Sequence, residues 1–141
     1  MAGLTQSTIG RKFLMALSAM FLLVFLLIHL SVNLLSIFSE DAFNTASHFM
    51  GYNPLIQFVM QPVLVAGVIF HFVMGFVLEM KNKNARPVKY AVANNSGNSS
   101  WSSRNMIISG AVILAFLGLH MYDFWMHEMN YKYVEALSIN E

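Results

Sequence analysis

Three histidines, His29, His71 and His120, each interrupt a long apolar run of the chain. A neutral imidazole offers a nitrogen lone pair, so a histidine in apolar surroundings is a candidate metal ligand or proton carrier. An ionised side chain at the middle of a membrane costs about 2.5 to 3.5 kcal/mol on insertion scales, and polar residues retained there generally serve a function. Haem suits such a setting, because its iron accepts imidazole nitrogen and its apolar ring fits between helices. The chain contains no cysteine, which excludes disulfides, cysteine-ligated iron–sulfur clusters and thioether-attached haem within it. The expected group is therefore b-type haem with histidine axial ligands.

The residues around His71 bear on the same chemistry. Gly67 and Gly75 lie four residues before and four after it, on one helical face, where a flat macrocycle could approach. The same spacing also suits a close helix contact across which His71 merely hydrogen-bonds, and the residues around His71 alone leave the two readings open. Arg104 is a possible propionate partner or simply a topology anchor. Asp123, one turn beyond His120, could orient a ligand or be solvated. His48 and His127 fall in outer segments and are expected to be solvated.

These residues must be held by helices. The chain has 141 residues, 57% hydrophobic and 11% charged, against about one quarter charged in a soluble domain. Three apolar stretches give spans at about 13–38, 55–79 and 105–127, each exceeding the ~20 residues that cross a ~30 Å hydrocarbon core. The expected fold is an all-α integral membrane helix bundle in a single anchor domain. The first apolar run follows Arg11 and Lys12, yet is too long for a signal peptide and lacks a small-residue cleavage site, so it reads as a retained anchor.

Charge placement orients the bundle. Arg11 and Lys12 precede the first span, and Lys81, Lys83, Arg86, Lys89 and Arg104 lie between the second and third, whereas the loop from Ser39 to Asn53 has Glu40 and Asp41 but no Lys or Arg. By the positive-inside rule the N-terminus and the 81–103 loop are cytoplasmic. With that plane as reference, His29 is 17 residues beyond Lys12 and His120 is 16 beyond Arg104, about 25 and 24 Å deep, while His71 is ten before Lys81, about 15 Å deep. Two ligands of one haem must share a level. His29 and His120 therefore pair on an outer haem, and His71 needs a ligand from elsewhere for an inner one.

Smaller signals complete the outline. Pro62 near the outer end of span two should open or kink the helix, with a kink expected. Ser102 or Ser103 is the expected N-cap of span three. Trp101 and Trp125 fall at its two interfaces. The polar run NNSGNSS can bury no apolar area and reads as part of a cytoplasmic loop. The net charge of +1 gives no indication of nucleic acid, and no such partner is expected.

Three segments carry a resemblance in order along nearly the whole chain: GRKFLMALSAMFLLVFLLIHL with His29, GVIFHFVMGFVLE with His71, and SSRNMIISGAVILAFLGLHMYDFW with His120. Together they resemble the cytochrome b membrane anchor of succinate dehydrogenase and fumarate reductase, of the single-subunit, two-haem type. The resemblance implies that His29 and His120 ligate an outer haem and that His71 shares an inner haem with a fourth helix. It implies five spans, of which three are present, so the fourth ligand is expected outside this sequence. It further implies a multi-pass protein of the bacterial inner membrane, passing electrons between a cytoplasmic flavoprotein and iron–sulfur pair and a membrane quinone, menaquinone by expectation. This subunit would not touch succinate or fumarate. A quinone site is implied near the outer haem, with Glu40, Asp41 and His48 as nearby candidates. An oligomer of the whole complex is compatible with this.

Two other functions fit the same residues. One is a haem b quinol-oxidising subunit of a different respiratory oxidoreductase. The other is a haem-free scaffold or transporter fragment whose histidines pack or relay protons.

Overall fold

The computed structural model describes residues 7–85, 97 and 99–135, and among these the chain is helical with no strand. Helix α1 spans Thr8–Phe38, α2 Glu40–Tyr52, α3 Gln61–Asn84, α4 Trp101–Arg104, α5 Met106–His120 and α6 His127–Asn130. Wider π-helical turns at Ile56–Met60, Met121–Met126 and Tyr131–Glu135 join some of these into longer helices. Three continuous helices, Thr8–Phe38, Ile56–Asn84 and Met106–Glu135, are long and apolar enough to cross a membrane. With 31, 29 and 30 residues, each is about 45 Å long, so each extends past the apolar stretch visible in sequence. The chain divides into two compact units, Met1–Pro87 and Val88–Glu141.

In the first unit, local capping fixes the helix ends. Ser7 is extended, and its hydroxyl accepts from Gly10 N at 2.9 Å, satisfying an otherwise orphaned amide of α1. Ser39 is the single joint between α1 and α2. Its amide donates to Leu35 O, ending α1, while its hydroxyl accepts from Ala42 N at 3.3 Å, starting α2. Glu40 and Asp41 in the first turn of α2 complement the helix dipole. The segment Ser39 to Asn53, expected as a loop, is therefore mostly helix; its half-buried residues Phe43, Ala46, Ser47 and Met50 recur at helical spacing, and α2 packs on α1.

Asn53 ends α2 and initiates the next long helix, its side-chain oxygen accepting from Leu55 N at 3.0 Å and Ile56 N at 3.3 Å. Pro62 cannot donate to Phe58 O, and immediately before it the helix widens, with Gln61 N bonded to Ile56 O, five residues back. The structural response to Pro62 is thus a π-helical turn feeding directly into α3. At its other end α3 continues through Lys81 and Lys83, whose charges suit a helix C-terminus, and Lys83 pairs with Glu79 at 3.3 Å one turn back.

The stretch 81–103, expected as a loop, is helical at both described ends. Arg86, Lys89 and most of the NNSGNSS run lie outside the described residues. In the second unit the capping serine is Ser100, whose hydroxyl accepts from Ser103 N at 3.2 Å; Ser102 and Ser103 lie inside α4 rather than capping the third long helix. The reason is Asn105, which leaves helical geometry (φ −105°, ψ 16°) and returns its side-chain amide to Trp101 O at 2.9 Å, so WSSR closes as a separate turn.

Candidate functional site

Helices α1 and α3 run antiparallel, which follows from their paired residues: Phe21 beside Gly67, Ser18 on His71, and Met15 beside Gly75. The half-buried residues of α1 along this face, Met15, Ser18, Leu22, Phe25 and His29, repeat every three or four positions, as do Leu64, Val68, His71 and Gly75 on α3. His29 and His71 thus both lie on inward stripes of the first unit rather than among its exposed apolar side chains.

His71 is oriented by a side chain on the other helix. Its Nδ1 lies 2.9 Å from Ser18 Oγ, and the Ser18 hydroxyl also lies 2.8 Å from Met15 O. A serine has one proton to donate, and the Met15 carbonyl can only accept. With the Ser18 proton on Met15 O, the hydroxyl accepts from His71, and the proton lies on Nδ1 and the lone pair on Nε2; with that proton on His71, the roles reverse. The first is the tautomer of a metal-ligating imidazole whose second nitrogen is fixed by an outer hydrogen bond.

The other two histidines are oriented by aromatic rings on their own helices. His29 stacks on Phe25 at 5.5 Å between ring centroids with planes 21° apart, and His120 stacks on Phe116 at 5.6 Å and 20°. Phe124 adds a tilted contact to His120 at 5.0 Å. His29 and His120 belong to different compact units, so their pairing stands on the depth arithmetic. Asp123 lies exposed in the π-helical turn beyond His120. His48 is exposed and stacks on Tyr52 at 4.4 Å, and His127 is exposed at the start of α6.

The glycines serve a helix contact. A Cβ at Gly67 would meet the Phe21 ring at 3.0 Å, and one at Gly75 would meet Met15 Cε at 3.8 Å. The bare face of Gly67 is thus filled by an α1 side chain, the arrangement expected of small residues between closely approaching helices. The Arg104 guanidinium donates to Ser99 O and lies 3.5 Å from Ser99 Oγ, just ahead of the capping Ser100. Among the described residues no group of three or more His, Cys, Asp or Glu side chains could hold a metal ion, although axial ligation of haem needs only two imidazoles. As donors, three imidazoles with defined orientations fit b-type haem; the two glycines do not form an open face for it.

No protein-family model, curated protein or solved structure matches the chain.

Proposed function

We propose that the chain is a haem b membrane anchor of a succinate:quinone oxidoreductase, with its N-terminus in the cytoplasm and its long helices spanning a bacterial inner membrane. The His71–Ser18 hydrogen bond carries this reading, because it holds one ring nitrogen of a half-buried histidine and leaves the other for a ligand. His29 and His120 would hold the outer haem and His71 the inner one, with a fourth ligand from outside this sequence. Haem, once bound, supplies one-electron redox chemistry between the iron–sulfur subunit and quinone. The chain's own residues hold the imidazoles in place: Ser18 by hydrogen bond, Phe25 and Phe116 by ring stacking. Exposed apolar side chains such as Leu119, at 66%, and Val112, at 65%, suit hydrocarbon rather than water.

A reduced-minus-oxidised optical spectrum of the complex, with haem counted per chain as the pyridine haemochrome, tests the reading. Two b haems per chain are expected. Replacing His29 or His120 should remove the same haem, and replacing His71 should leave that one intact. A second reading has its own observation. The contacts of Gly67 with Phe21 and Gly75 with Met15 also suit a haem-free helix pair in which His71 serves packing, and that protein would be colourless.

A further inference from the structure

We propose that Arg11 is the cation that receives a propionate carboxylate of the inner haem, an inference that rests on the haem reading above. Arg11 is half-buried on the α1 face that also carries Met15 and Ser18, seven residues before Ser18 and about 10 Å along the axis from the level of His71. Its Nε is buried and, among the described residues, has no hydrogen-bond partner. A guanidinium N–H removed from water without an acceptor is costly, which marks the position as one that an anion completes.

The carboxylate nearest Arg11 in helix register is paired with a lysine of its own helix. Continuing the antiparallel pairing of Phe21 with Gly67, Ser18 with His71 and Met15 with Gly75 brings Arg11 level with Glu79, whose carboxylate lies 3.3 Å from Lys83 Nζ. Arg104, the cation the sequence singles out for this role, is turned onto Ser99, just ahead of α4. Arg11 instead shares a compact unit with His71, and its planar fork matches a carboxylate in two parallel hydrogen bonds.

Reduction gives haem one more negative charge, so a cation at a propionate favours the reduced form. The test is potentiometry of the purified complex carrying Arg11→Gln, Arg11→Lys or Arg104→Gln, with the inner haem identified as the one lost on replacing His71. Arg11→Gln should lower the inner haem's reduction equilibrium constant about tenfold, about 59 mV for one electron, and leave the outer haem unchanged. The propionate bending band in the resonance Raman spectrum should move with it, and Arg11→Lys should restore most of both. If Arg11→Gln loses the inner haem and Arg11→Lys keeps it, the requirement for charge holds. Unchanged potential and Raman band with haem retained, the same shift from Arg104→Gln, or loss of haem in Arg11→Lys as well would each overturn the proposal. A wild-type complex with no inner haem would overturn the haem reading itself.

Discussion

At the scale of single residues, a proposed histidine ligand is only as good as its orientation, and the three candidates obtain it differently. Ser18→Ala deletes the hydrogen-bond partner of His71 Nδ1 on the neighbouring helix. Under the proposed haem reading, inner-haem affinity should fall about 10- to 100-fold, as for other outer-shell partners of ligating histidines, with the outer haem unaffected. Haem titration of membranes containing the variant measures this, and equal losses at both haems would count against a local role for Ser18. Phe25→Leu and Phe116→Leu remove ring stacks worth about 0.5 to 1.5 kcal/mol beyond area. Both should shift the low-spin ferric EPR signal of one and the same haem, because the angle between two axial imidazole planes sets that signal. The histidines were legible because they interrupt apolar runs. Ser18 was visible as the other polar residue among the apolar positions before His29, but its bond to His71 joins positions 53 apart, which no local periodicity reports.

At the scale of elements, the α1–α3 pair depends on close approach at Gly67. Gly67→Ala would put a methyl 3.0 Å from the Phe21 ring and should destabilise the pair by about 1 to 3 kcal/mol, whereas Gly75→Ala meets Met15 Cε at an ordinary 3.8 Å and should be neutral. Thermal unfolding in detergent would compare them. Adding Phe21→Ala should recover part of the Gly67→Ala loss, since the two sites touch and their effects are not additive. The long helices were legible from apolar length, but their overhangs were not, because capping at Ser7 and the Glu79–Lys83 pair extend α1 and α3 into polar sequence. Helix α2 was hidden in a segment expected as the loop between the first two spans, whose acidic charge was used only to orient the chain. That charge lies in its first turn, where it supports a helix, and the amphipathic spacing of Phe43, Ala46, Ser47 and Met50 was the available signal.

For the whole molecule, orientation follows from where cations stop. The α1–α3 register brings Arg11 and Lys12 to the same end of the first unit as Lys81 and Lys83, so one compact unit presents its basic residues together. The other end carries α2 with Glu40 and Asp41 in its first turn, and no Lys or Arg lies between Ser39 and Asn53. Holding the first end at the cytoplasmic face satisfies the positive-inside rule for both long helices at once, and reversing it violates the rule for both. These 141 residues contain no cysteine, so an introduced thiol has no competitor among them and its labelling is directly measurable. Asn44→Cys, exposed on α2, should react with a membrane-impermeant maleimide added to intact cells. Lys81→Cys and Ser99→Cys should react only after the membrane is opened. Labelling of position 81 in intact cells would invert the chain, place the level of His29 and His120 toward the cytoplasm, and leave the electron path proposed here running the wrong way.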